Sequence, residues 1–137
     1  MALQAYSLTR DGEAYLSPHF RVQEFRCKDG SDPVFVDTAL VELLEQLRAH
    51  FGKAVTITSG YRTPAHNAKV GGSKSSQHLL GRAADIQVAG TSVEDVAAYA
   101  ESLMPDWGGV GRYPAQAGRA AGWVHVDTRA EKARWRG

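Results

Sequence analysis

Apolar residues recur at three- and four-residue intervals through Leu40, Leu43, Leu44, Leu47 and Phe51, with Glu42, Glu45 and Arg48 between them. This spacing predicts an amphipathic helix over residues 38–51. Asp37 stands at its N-cap, Val36 and Val41 at the two ends of a hydrophobic staple, and Gly52 at its stop. His50 is expected to face the last carbonyls. A weaker stripe of Val93, Val96, Ala97, Ala100 and Leu103 predicts a helix over residues 92–104, opened by the capping box Thr91-x-x-Glu94 and closed by Pro105. A short helix is expected from Pro64 to about Val70, ended by Gly71-Gly72.

Elsewhere the period falls to two, as in a strand. Residues 54–58 alternate; Ala84, Ile86 and Val88 oppose Ala83, Asp85 and Gln87; Val124 and Val126 oppose Trp123, His125 and Asp127. Residues 107–114 read as a further, glycine-rich strand, and residues 115–121 as a loop near the site. Phe20, Val22 and Phe25 are expected to cover one side of the core, and the tail from Arg129 to form a solvated helical end. Residues 1–15 read as a polar arm or edge strand before a single domain over 16–137.

Asp85 is an acid in a strand, where Asp is depleted and rarely buried without a metal or a basic partner. His78 lies seven residues before it across Gly81, and His125 lies on a later strand with the same alternation. Two imidazoles and a carboxylate, with a fourth position left to water, form a ligand set of catalytic zinc. The competing reading makes His78 a loop cap, His125 a satisfied core histidine and Asp85 the partner of an arginine. Spacing alone leaves both open. Arg62 falls where the strand over 54–58 gives way to a loop, as a surface arginine or as a fork for a peptide carboxylate.

Ser76, His78, Gly81, Ala83 and Asp85 fit the pattern S-x-H-x-x-G-x-A-x-D, Trp123 to Asp127 fit a second signature, and Ser59 to Asn67 precede both in the right order. On these residues the chain resembles the zinc D-alanyl-D-alanine carboxypeptidase family of peptidoglycan peptidases. That family shares its metal site with phage endolysins, vancomycin-resistance dipeptidases and the hedgehog signalling domain. The resemblance runs from roughly Leu16 onward and implies Zn²⁺ on His78, Asp85 and His125. It also implies that Arg62 binds a substrate carboxylate or polarises its carbonyl; Ser76 is expected to orient the loop or the carboxylate and is placed with Arg62 among the substrate-binding residues. Some relatives carry a glutamate three residues before the last zinc histidine, others a histidine two residues before it; Gly122 and Trp123 occupy those positions here. Asp127 is then left to orient His125 or to act as the base, with His66 a further candidate for the base.

Composition narrows the rest. A net charge of +1 gives no global attraction to nucleic acid or membrane, and no run of 18 apolar residues could span a bilayer. Cys27 is the one cysteine, so an internal disulfide is excluded and no C-x-x-C metal motif exists; it reads as a structural thiol. The first eleven residues lack a charged and then apolar leader. The expectation is synthesis in the cytoplasm and action at the cell wall after release or as part of a phage particle. The expected fold is α+β, a small antiparallel sheet with helices mainly on one face and a zinc cleft on the other. The expected function is hydrolysis of peptidoglycan stem peptides at a bond involving a D-amino acid, as DD-carboxypeptidase or endopeptidase, by a monomer with no nucleic-acid or membrane partner. The alternative is a non-catalytic wall-binding or structural module that keeps the fold and the metal.

Overall fold

The long helix forms where its periodicity puts it. In the computed structural model, which describes residues 2–117, 119 and 121–137, the chain runs β1 (Leu3–Tyr6), α1 (Leu8–Asp11), β2 (Tyr15–Ser17), β3 (Phe20–Arg21), a 3₁₀ turn (Val22–Phe25), β4 (Val34–Asp37) and α2 (Thr38–Phe51). It continues with β5 (Val55–Ser59), α3 (Pro64–Lys69), a second 3₁₀ turn (Gln77–Leu80), β6 (Ala83–Val88), α4 (Val93–Leu103), β7 (Gly109–Tyr113), β8 (Trp123–Asp127) and β9 (Ala133–Arg136). Asp37 caps α2 by accepting from the Ala39 amide, and Gly52 ends it in the left-handed conformation. Leu40, Leu43, Leu44 and Leu47 are buried, as the apolar stripe requires.

The main sheet has the order β5-β6-β8-β7-β9. It is antiparallel from β5 to β7, but β9 joins β7 in parallel. The sheet is therefore mixed, not wholly antiparallel. Ala84, Ile86, Val110, Val124 and Val126 face a core completed by α2 and α4, including Leu44, Leu47, Val96, Ala97, Ala100 and Met104. Alternation sends Asp85 and His125 to the opposite face. Two smaller ribbons, β1 with β4 and β2 with β3, flank this layer, so residues 3–6 form a strand at the edge of β4.

Two local expectations are corrected, in the tail and at the cap of α4. The tail is a strand, not a helical end: Gly109 to Arg112 pair in register with Ala133 to Arg136. Two of its basic residues are paired with the acidic face of α4, Arg136 with Glu94 at 2.7 Å and Arg134 with Glu101 at 3.6 Å, while Arg112 of β7 binds Glu101 at 2.6 Å. The cap of α4 is Ser92, whose hydroxyl accepts from the Asp95 amide at 3.1 Å; the Thr91 hydroxyl instead donates to the Ala89 carbonyl. His50 stacks on Tyr99 of α4 with ring centroids 3.5 Å apart, which gives it a packing role between the two helices. Among the described residues, no helix is long and apolar enough to cross a membrane.

Candidate metal centre and cleft

Asp85 and His125 are direct cross-strand partners on β6 and β8, so the pleat brings their side chains together on the face away from the helices. His78 reaches them from the 3₁₀ turn before β6, which Ser76 caps by accepting from the His78 amide at 3.2 Å. One ligating atom from each of His78, Asp85 and His125 lies within 4.8 Å of the other two, and all three residues are buried. His78 Nε2 is 3.3 Å and His125 Nδ1 is 3.1 Å from Asp85 Oδ1.

The hydrogen bonds behind the imidazoles fix which nitrogen is free. His78 Nδ1 lies 2.7 Å from the Gly60 carbonyl, which can only accept, so Nδ1 carries the hydrogen and the Nε2 lone pair faces Asp85. A Cβ at Gly60 would come 2.7 Å from the Phe25 carbonyl oxygen, so glycine is what lets this backbone lie against that of Phe25. His125 Nε2 lies 2.7 Å from Asp127 Oδ2, which leaves the Nδ1 lone pair facing Asp85. Two lone pairs and a carboxylate converge. This donor set fits a divalent transition metal, and each imidazole has the outer hydrogen bond typical of metal-binding histidines.

Asp127 is 0% exposed and fully engaged. Its Oδ1 accepts from the Gly109 and Arg129 amides and from Arg129 Nε at 2.8 Å, and its Oδ2 accepts from Arg129 NH2 at 2.7 Å as well as from His125. Burial alone would raise the carboxyl pKa, but the bonds from His125 and Arg129 outweigh it and hold the group below its usual range. The same contest holds Asp85 low, through His125 and His78, and raises His125, through Asp127 and Asp85. Asp127 does not line the cleft. Its geometry suits orienting His125 and gives it no path to a water in the cleft.

Arg62 is 15% exposed at its side chain, with NH2 3.5 Å from Asp85 Oδ2. Ser59 accepts from Nε at 3.1 Å and Asn67 from NH1 at 3.2 Å, so the side of the fork away from the cleft is taken and one N–H on each terminal nitrogen remains. The cleft above, about 490 Å³, is lined on one side by Arg62, Gly71 to Ser73 and Ser75 to His78 and on the other by Tyr113, Trp123, Arg129 and Trp135. His66 is not part of this lining.

Sequence reasoning missed the second wall. Trp135 of β9 packs 5.0 Å from His125 and donates to the Tyr113 hydroxyl at 2.8 Å, and Tyr113 stacks on Trp123 at 4.9 Å. Trp135 occupies the space that Gly111 leaves, where a Cβ would meet its indole at 2.5 Å. Glycine at a central strand position was the available signal. Arg129 was also missed, although it lies two residues after Asp127.

The chain is 37% identical over 79 residues to the "probable peptidoglycan L,D-endopeptidase MepK" of Haemophilus influenzae, a stretch covering 54% of this chain and 39% of that protein. The chain thus matches about two fifths of the length of that relative. A family model described as peptidase M15 matches residues 18–127, a span that takes in Arg62, the triad and Asp127. Since that span is most of the chain, the protein belongs to the M15 family of peptidases.

Proposed function

We propose that the protein is a zinc-dependent peptidase that hydrolyses peptidoglycan stem peptides at a bond involving a D-amino acid. The observation that carries this reading is the convergence of His78 Nε2, Asp85 and His125 Nδ1 at the floor of a cleft, with Arg62 beside them. The peptidoglycan substrate is supported by the name of the Haemophilus relative. Zinc bound by the triad supplies Lewis acidity, polarising a carbonyl and acidifying water.

The chain's own residues supply the rest. Asp127 and Arg129 hold His125 in one tautomer and one ring orientation, and the Gly60 carbonyl does the same for His78. Arg62 stands beside Asp85 and offers its remaining N–H groups to a substrate carboxylate or to the oxygen on which charge develops, worth about 3 kcal/mol per well-placed donor. Ser76 holds the turn that presents His78. Tyr113, Trp123 and Trp135 make a rigid wall against which an extended peptide can lie.

One observation favours the second reading, a wall-binding module without catalysis. Among the described residues, the cleft lining holds no carboxylate besides Asp85, and Trp123 and the Gly122 backbone occupy the positions where relatives place a base. Incubation of the zinc-loaded protein with purified peptidoglycan, followed by mass spectrometry of the released and residual stem peptides, separates the two. Shortened or unlinked stems are expected. An intact digest from protein that carries stoichiometric zinc would overturn the peptidase reading in favour of the binding module.

A further inference from the structure

Three groups that the proposed reaction does not use stand together beside the segment that carries Arg62. Cys27 follows the first 3₁₀ turn, Asp29 comes two residues later, and His66 lies in α3. Each offers one ligating atom, and the three atoms lie within 4.8 Å of one another. None of the three lines the catalytic cleft. We propose that Cys27 Sγ, the Asp29 carboxylate and the His66 imidazole form a second site for a divalent transition metal such as Zn²⁺, with the fourth position left to solvent.

The hydroxyl of Thr63 organises the cluster. It donates to Asp29 Oδ2 at 2.8 Å, accepts the His66 amide at 3.2 Å as the N-cap of α3, and lies 3.9 Å from Cys27 Sγ. Asp29 is held again by the Ser31 amide at 2.8 Å, so its carboxylate is oriented before any ion arrives. Burial differs across the three in a way that suits an ion entering from solvent: Cys27 is the buried floor, His66 is half-buried and Asp29 is exposed. The donor types decide the class of ion. One thiolate, one imidazole and one carboxylate match zinc and its first-row neighbours, whereas calcium and magnesium require oxygen ligands. Coordination expels the thiol proton to solvent, so binding strengthens as pH rises.

The location gives the ion something to do. The Tyr61 amide already bonds the Phe25 carbonyl at 2.9 Å, and Arg62 and its anchor Asn67 lie in the stretch that runs from there into α3. An ion on Cys27, Asp29 and His66 clamps the start of α3 to the segment after Phe25 and so braces the backbone on both sides of Arg62.

Cobalt(II) tests this directly, because Cys27 is the one sulfur ligand of thiol type in the chain and the triad of His78, Asp85 and His125 contains none. Titration of the metal-free protein with Co²⁺ is expected to reach about two equivalents per chain and to develop a near-ultraviolet thiolate-to-cobalt charge-transfer absorption. Cys27→Ser should lose that absorption and keep one equivalent, and His78→Ala should keep the absorption. Since Cys27 is buried and its replacement could unsettle the fold, Asp29→Asn and His66→Ala provide a second arm. Both should retain the wild-type circular dichroism and weaken cobalt binding at the thiolate site by about tenfold or more. A wild-type protein without the charge-transfer absorption, an absorption that survives in Cys27→Ser, or one unaffected by both Asp29→Asn and His66→Ala would overturn the proposal.

Discussion

Replacing Asp127 by asparagine changes almost no volume and yet reverses the hydrogen-bond logic behind His125. The carboxylate now accepts from five N–H groups: the amides of Gly109 and Arg129, Arg129 Nε and NH2, and His125 Nε2. An asparagine can keep its carbonyl on the first three, but its NH2 group then faces Arg129 NH2 and His125 Nε2, donor against donor. His125 relieves the conflict by moving its hydrogen to Nδ1, the nitrogen turned toward Asp85 and His78. That removes one of the three metal lone pairs. Loss of such an outer partner weakens metal affinity by about 10- to 100-fold.

The same change leaves Arg129, 28% exposed at its side chain, without its charge partner, and the lost charge-assisted bonds cost about 1–3 kcal/mol. For a chain of this length that is a drop in Tm of about 3–10 °C. Competition with a chromogenic chelator measures zinc affinity, and thermal unfolding with and without chelator measures stability. A variant with wild-type zinc affinity would refute the tautomer argument. A variant with normal zinc content, normal melting and no hydrolysis would instead return Asp127 to the role of base.

Arg62→Lys is expected to reduce hydrolysis at least tenfold while melting shifts little, because an ammonium cannot hold Ser59, Asn67 and a substrate oxygen at once; unchanged turnover would remove Arg62 from the machinery. In metal-free protein His125 is raised above its ordinary value near 6.5, so its contribution is complete below that pH and is lost as pH rises through the folded-state pKa. Asp85 and Asp127 are lowered from 3.8, so theirs is present above that value and is lost as pH falls below it. Chelator-treated protein should therefore melt highest between about pH 4.5 and 6.5, while the extra stability from added zinc grows with pH because ligation needs neutral imidazole; equal melting of metal-free protein at pH 5.5 and 8 would contradict this. Ser92→Ala should cost about 1 kcal/mol and Thr91→Ala much less, measured by urea unfolding, and the reverse order would restore Thr91 as the cap of α4.

Features set by neighbours in sequence were legible. The stripe of Leu40 to Phe51, its Asp37 cap and the two strands that present Asp85 and His125 follow from periods of 3.6 and 2 and from short-range turn chemistry. Thr91 and Ser92 could each cap a helix with an acid three residues on, and sequence cannot choose between two adjacent frames. The tail failed for a different reason. Four residues rich in arginine carry no apolar period, and Ala133 to Arg136 become a strand only because β7 offers a parallel edge and α4 offers Glu94 and Glu101. Similarly, nothing near Cys27 in sequence announces His66, which a pairing between Phe25 and Tyr61 brings to it.

The packing of Trp135 against His125 gives the centre an optical voice. An indole whose ring lies 5.0 Å from an imidazole is quenched by electron transfer when that imidazole is protonated and far less when it is neutral. The emission of this tryptophan is therefore tied to the state of the ring that a metal would take. Trp107 lies in the turn before β7 and Trp123 stacks on Tyr113 in the same wall, whereas Trp135 is the indole packed on His125, so comparison with Trp135→Phe isolates its signal. Filling and emptying of the triad can then be followed by fluorescence in the unlabelled protein, in real time and without a substrate.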